Sequence, residues 1–185
     1  MKKFFVTALV LLAFGLSANS QDFKPFRVDG GVGYGLPFNE GLEGGVIFYL
    51  EPKYEVVPQI AVGLRWEGTL FAGAKIEGTE SSASAKLSSG FLATGDYYFT
   101  NDSFRPFGGI GLGLYSITGA SSTVSIGGMT ETVEIAGSTN FAAMARVGFD
   151  YSHFRVTASY NMAFAEEMFH YISFTVGFYI GGGKN

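Results

Sequence analysis

The sequence predicts an all-β protein, an eight-stranded antiparallel up-and-down transmembrane β-barrel, and three observations carry that prediction. Apolar residues alternate with small or polar ones through eight segments of the chain. The charges inside those segments keep to one parity. The composition is rich in residues that strands and membrane interfaces use and poor in those that cover a soluble surface: 27 of 185 residues are glycine, 16% are aromatic and only 15% are charged. Soluble domains average about 25% charged residues and about 7% glycine, and that much glycine disfavours helix throughout.

The first segment to set aside is Met1 to Ser20. Lys2 and Lys3 precede an uncharged apolar run from Phe4 to Leu16, too short for the ~20 residues of a membrane-spanning helix, and Ala18 and Ser20 supply small residues before a cleavage point at Gln21. This reads as a signal peptide (1–20) that exports the domain 21–185. Its removal takes two lysines from a net charge of -4 and leaves -6.

The eight strand segments run from Phe26 to Leu36, Leu42 to Lys53, Ile60 to Leu70, Ser89 to Phe99, Arg105 to Ile117, Gly137 to Asp150, Phe154 to Phe164 and His170 to Ile180. Each is close to the 9–11 residues of a tilted membrane strand. In the third, Ile60, Val62, Leu64, Trp66 and Leu70 oppose Ala61, Gly63, Arg65, Glu67 and Thr69. Four segments hold more than one charge: Arg27 with Asp29, Glu43 with Glu51 and Lys53, Arg65 with Glu67, and Arg146 with Asp150. In every case the charges share a face. Chance would produce that agreement roughly once in 32, because each further charge has two faces to choose from.

Connector lengths alternate. The links at 56–59, 100–104 and 151–153 are short, whereas those at 71–88 and 118–136 are long and rich in Ser, Thr, Gly and Glu. This is the asymmetry of barrels that cross an outer membrane, although the link after the first strand is short too. Prolines 25, 37, 58 and 106 sit at segment ends and Pro52 near the end of the second. Met, Ala and Glu between Asn161 and His170 leave a helical turn in the last loop open beside the strand reading.

Period-2 logic does not say which face is inside. A soluble lipocalin-like barrel would place the apolar face inward and the charges in water. The charged face here is otherwise mostly Gly, Ala, Ser and Thr, with one lysine, Lys53, which suits a narrow lumen better than a solvated surface. Glycines 31, 33, 35, 109, 111 and 113 are expected to make room for larger side chains across the axis. The twelve strand charges, Arg27, Asp29, Glu43, Glu51, Lys53, Arg65, Glu67, Asp96, Arg105, Arg146, Asp150 and Arg155, are six of each sign. A self-neutralising lumenal ion-pair network follows as the expectation, since buried charges persist when paired. Outward aromatics would band toward the long-loop end (Tyr34, Trp66, Phe91, Phe141, Phe164) and the short-turn end (Phe26, Tyr97, Phe99, Phe149, Tyr151, Phe154, Phe178), as membrane interfaces select.

With Gly-Val-Gly-Tyr-Gly at 31–35 and Gly-Ile-Gly-Leu-Gly at 109–113, residues 21–185 resemble the OmpX and OmpA transmembrane-barrel families of Gram-negative envelopes. The resemblance implies an outer-membrane location, a monomer among lipid and lipopolysaccharide, assembly by the barrel-assembly machinery, and a structural, adhesive or envelope-protective role through the loops. Thr175, Gly177 and Ile180 match the closing-strand signal of those families, while the chain runs on through Gly181 to Asn185.

Chemistry-bearing patterns are sparse. Without cysteine there is no thiol chemistry and no Cys-ligated metal, and the acidic balance disfavours nucleic acid. The Gly-x-Gly-x-Gly runs lack dinucleotide spacing. His170 and Ser173 are three apart, hence on opposite faces of a strand, and His153 falls in a short turn. No catalytic residue, cofactor site or metal site is assigned; Glu166 and Glu167 beside His170 read as solvated loop acids. The long loops collect Glu40, Glu77, Glu80, Glu131, Glu134, Glu166 and Glu167 against Lys75 and Lys86, a local net of -5. They suit divalent cations bridging lipopolysaccharide, or a basic partner. The rival functions are a lipid-modifying outer-membrane enzyme, a narrow channel and a soluble ligand-binding barrel.

Overall fold

The computed structural model describes residues 24–38, 42–73, 85–118, 122–126, 129–133, 138–165 and 168–182. The predicted signal peptide 1–20 lies outside them.

Ten strands form among the described residues: β1 (Phe26–Pro37), β2 (Leu42–Val57), β3 (Ile60–Gly73), β4 (Ala85–Tyr98), β5 (Phe104–Thr118), β6 (Ser122–Ile126), β7 (Met129–Val133), β8 (Ser138–Tyr151), β9 (Phe154–Ala163) and β10 (Phe169–Gly181). Eight of them close a barrel in the order β1-β10-β9-β8-β5-β4-β3-β2, with antiparallel neighbours throughout. The other two, β6 and β7, pair only with each other as a hairpin set into the connection from β5 to β8. Closure is made by eleven residue pairs between β1 and β10, Arg27 with Gly181 through Pro37 with Tyr171. A closed ladder leaves no barrel edge with unpaired backbone groups, the condition for standing in hydrocarbon.

Several boundaries differ from the sequence reading. β2 continues past Pro52 to Val57, carrying Glu55 onto the lumenal face; β3 continues to Gly73, and β4 begins at Ala85, so Lys86 belongs to a strand and not a loop. Between Asn161 and His170, where a helical turn is one alternative, the described residues instead form the end of β9 and the start of β10. Asn161 pairs with Met144 on one side and Tyr171 on the other. Ladder hydrogen bonds on both sides outweigh a propensity difference of a few tenths of a kcal/mol per residue. The turn from β8 to β9 is two residues, Ser152 and His153, with Ser152 in the left-handed region at φ 54°.

The two faces of the wall are chemically opposite. Val32, Leu64, Ile110, Leu112, Leu114, Val147, Phe174 and Val176 all point outward and are about half exposed, while Arg27, Asp29, Glu51, Arg65 and Glu67 are at most 1% exposed. Aromatics band at both ends of the exterior. Tyr34, Trp66, Phe91, Phe141 and Phe164 lie toward the long loops and Phe26, Tyr97, Phe99, Tyr151 and Phe178 toward the short turns. From His170 to Ile180, ten residue-to-residue steps of ~3.3 Å tilted ~40° rise ~25 Å, the height of a membrane-barrel apolar band.

The inward glycines do more than clear the axis. A Cβ on Gly33 or Gly113 would overlap the carbonyl oxygen of Phe174 or Phe91 on the adjoining strand, so these residues allow neighbouring backbones to approach. Gly90 faces the Tyr115 ring at 2.9 Å from its would-be Cβ, and Gly111 faces Met144 at 3.0 Å. At those two, space is indeed ceded to a larger side chain.

Candidate functional site

The most organised polar constellation is the lumen itself, and the ladder register explains why it assembles as it does. Between β1 and β2 the register sets Arg27 opposite Lys53 and Asp29 opposite Glu51, two like-charge pairs. Alone, that pairing would be unfavourable. Closing the barrel brings opposite charges to each from other strands. Lys53 Nζ lies 3.0 Å from Asp29 on β1 and donates to Asp96 on β4 at 2.6 Å.

Three layers follow along the axis. Toward the short turns, Arg27 donates to Asp150 at 2.8 Å, and its Nε lies 3.0 Å from Asp29; Arg105 reaches Glu55 at 3.1 Å and the Pro58 carbonyl at 2.7 Å. Arg155 bridges this layer to the next, binding Asp150 at 3.0 Å and Asp96 at 2.8 Å. In the middle, Arg146 holds both oxygens of Glu51 at 2.9 and 2.7 Å and Asp96 at 2.7 Å, while Thr94 donates to Glu51 at 2.6 Å. Above, Arg65 donates to Glu67 at 2.8 Å, and the hydroxyls of Tyr115 and Tyr171 converge on the other oxygen of Glu67 at 2.7 and 2.6 Å. Guanidinium planes also stack on rings: Arg65 over Tyr49 at 3.9 Å, Arg105 over Tyr98 at 4.0 Å and Arg155 over Phe107 at 3.7 Å. Delocalised charge suits a narrow space shared with aromatics.

Eleven of the twelve sequence-predicted residues thus meet in one network; Glu43 lies in β2 outside the stretch whose side chains are described. The residue that sequence reasoning missed is Glu55, 1% exposed and within 3.6 Å of Arg27 and 3.1 Å of Arg105. It stands in the balance where Glu43 was expected. Arg27, Lys53, Arg65, Arg105, Arg146 and Arg155 face Asp29, Glu51, Glu55, Glu67, Asp96 and Asp150, six of each sign, so the described lumen is neutral. The signal was available, since 51, 53 and 55 share a parity.

The lumen is not polar throughout. Toward the long loops, Ile47, Phe71, Leu92, Met144, Phe169 and Tyr171 pack as an apolar plug. Phe71 sets its edge on Phe169 and Tyr171, with centroids 5.5 and 5.4 Å apart. Tyr171 belongs to both the plug and the Glu67 cluster. The wall formed by β9 and β10 contributes uncharged polar groups, Thr157, Ser159, Asn161, Ser173 and Thr175, all buried.

The histidines stand apart from this interior. His170 faces outward, where the Tyr160 hydroxyl lies 2.9 Å from its Nδ1 and Phe38 packs on its ring at 5.2 Å. Ser173 is fully buried on the lumenal side, so the barrel wall separates the two. His153 stacks on Tyr179 in the short turn, beside the hydrogen bond that Tyr179 donates to the Ser152 carbonyl. Among the described residues no group of three or more His, Asp or Glu could hold a metal. Glu166 and Glu167 lie outside those residues, as do Glu40, Glu77, Glu80, Glu134 and Lys75 of the predicted acidic loops. Glu131 falls in β7.

No protein-family model matches the sequence, and no curated protein matches it. Its fold is that of small outer-membrane barrels. Neisserial surface protein A superposes with a TM-score of 0.58 at 14% identity, over 84% of this chain and 96% of that one. The outer membrane protein OprG of Pseudomonas aeruginosa gives 0.54 at 12%, over 89% and 98%. The attachment invasion locus protein Ail of Yersinia pestis, solved in complex with the heparin analogue sucrose octasulfate, gives 0.51 at 16%, over 85% and 99%.

Proposed function

We propose that this protein is exported through residues 1–20 and resides in the outer membrane as a monomeric barrel with a closed lumen, acting structurally, adhesively or protectively through its surface loops. The observation that carries this reading is the inversion of polarity, with charge sealed inside and an apolar belt outside, which only a hydrocarbon surrounding rewards. A soluble ligand-binding barrel would need the reverse. The filled lumen argues against a channel, because ion pairs and the Phe71, Phe169 and Tyr171 plug occupy the axis of a bore already narrow at eight strands. Separation of His170 from Ser173 by the wall argues against a lipid hydrolase that would use them together. Assembly by the barrel-assembly machinery belongs to the same reading, as does contact with lipopolysaccharide.

The heparin analogue held by Ail does not transfer readily. A sulfated glycan is strongly anionic, and with Lys86 assigned to β4 the connections on the long-loop side carry seven glutamates against Lys75, a net of -6. Like charges disfavour that encounter, so a cationic partner, or divalent cations shared with lipopolysaccharide phosphates, fits these loops better. Fractionation of intact cells tests the reading. The protein should sediment with outer membranes, and external protease should cut within 74–84 or 119–137 while sparing the barrel. Recovery from the soluble periplasm would overturn it.

A further inference from the structure

Two glycines on the outer face differ from those that line the lumen. Gly95 on β4 and Gly108 on β5 are near neighbours, because the register sets Gly95 against Ile110 and Tyr97 against Gly108. At lumenal Gly113 or Gly148 a Cβ would collide with the adjoining backbone. One built at Gly95 meets nothing within 4 Å, and one at Gly108 meets only the Phe99 ring, at 3.7 Å. The protein's own packing therefore does not require these two positions to be glycine, although glycine weakens a strand interior and marks places where another molecule approaches closely. Together they form the floor of an open depression of about 390 Å³, walled by Ile60, Tyr97 and Ile110.

We propose that this depression is a docking site for one acyl chain of a phospholipid, entering from the leaflet at the short-turn end. The inference rests on the barrel spanning a bilayer. Walls and floor are almost wholly apolar, and the site lies inside the exterior belt, so its occupant is hydrocarbon. Tyr97 and Phe99, exposed at 53% and 64%, mark the interface just beyond it, where the chain would join its glycerol. Below them the turn exposes Asn101, Asp102 and Ser103, and the nearby Arg105 guanidinium is turned away, onto Glu55 and the Pro58 carbonyl. The exposed Asp102 carboxylate in that turn favours an ammonium headgroup over an anionic one. The geometry thus points to a phosphatidylethanolamine-type lipid.

The test uses the full mature chain, folded in detergent micelles with added dioleoyl phosphatidylethanolamine, and reads retained lipid by native mass spectrometry. Wild type should keep one lipid under activation that strips the micelle. Gly95→Leu and Gly108→Val should each retain it at least fivefold less, and both should still show the heat-modifiable mobility of a folded barrel. Gly68→Leu is the control, since Gly68 is also outward and uncrowded, with Trp66 the nearest contact at 3.5 Å from its would-be Cβ; it should behave as wild type. Equal retention by wild type and both filled variants would overturn the site. Equal retention of phosphatidylglycerol would overturn its headgroup preference. A mature chain that stays monodisperse without detergent would instead defeat the membrane reading itself.

Discussion

Asp96 offers the sharpest test of how the interior is held together. It is 3% exposed, and its two oxygens receive Lys53 at 2.6 Å, Arg146 at 2.7 Å and Arg155 at 2.8 Å. Asp96→Asn keeps the shape, removes one negative charge and leaves a neutral lumen at +1. Taking one partner from a buried ionic group generally costs ~3–5 kcal/mol. Each cation here keeps another acid: Arg146 retains Glu51, Arg155 retains Asp150, and Lys53 retains Asp29 at 3.0 Å. The low end applies, ~3 kcal/mol, or somewhat over a hundredfold in the folding equilibrium at 1.4 kcal/mol per decade. The assay is urea-dependent refolding into phospholipid vesicles, with heat-modifiable gel mobility as the readout of the closed barrel. Adding Lys53→Met restores neutrality, so the double variant should be more stable than the sum of the single losses implies, by ~2 kcal/mol or more. A loss under ~1 kcal/mol for Asp96→Asn, or strict additivity with Lys53→Met, would show that water and not the network solvates these charges.

Other expectations follow from the same picture. Leu112, outward on β5 and 51% exposed, should cost ~2–4 kcal/mol when changed to Arg, because an arginine near the bilayer midplane is penalised by that amount. Gly113→Ala, whose Cβ would overlap the Phe91 carbonyl oxygen, should impair folding yield in a refolding titration, while Gly95→Ala should not. Replacing His153 and His170 together by Ala should leave the barrel folded and lipid composition unchanged; loss of a measurable acyl-transfer or lipase activity would revive the enzymatic alternative. Planar-bilayer recordings of folded monomer should show no stable conductance, and a reproducible ion-selective current would contradict the plugged lumen.

Much of this architecture is legible in the sequence because a membrane strand writes its two environments into alternate residues. Arg65 and Glu67 against Trp66, or Arg146 against Val147, state which side is which. What escapes the linear reading has physical causes. Pro52 suggests the end of a strand, yet it occupies a non-lumenal position opposite Val28, so β2 continues and Glu55 joins the interior. Gly127 and Gly128 between two short runs are a hairpin signal, but the Ser- and Thr-rich flanks that form β6 and β7 resemble loop composition. The plug is hidden because Ile47, Phe71, Leu92 and Phe169 are apolar residues on the inward parity, indistinguishable by hydropathy from their outward neighbours. Pairing partners are the least visible layer. Like charges face each other between β1 and β2; diagonal contacts such as Lys53 with Asp29 offset them in part, and partners from β4, β8 and β9 complete the balance.

The central claim, that the barrel wears its apolar face outward in a bilayer, is tested most directly by an accessibility scan along β8. The chain contains no cysteine, so single cysteines at positions 141 to 145 can carry a nitroxide without altering the rest. In reconstituted vesicles, relaxation by lipid-dissolved oxygen should oscillate with period two, high at 141, 143 and 145 and low at 142 and 144, where Ala142 is fully buried and Met144 is 3% exposed. An oscillation of the opposite phase, or equal oxygen accessibility at all five sites, would contradict the orientation on which the account stands.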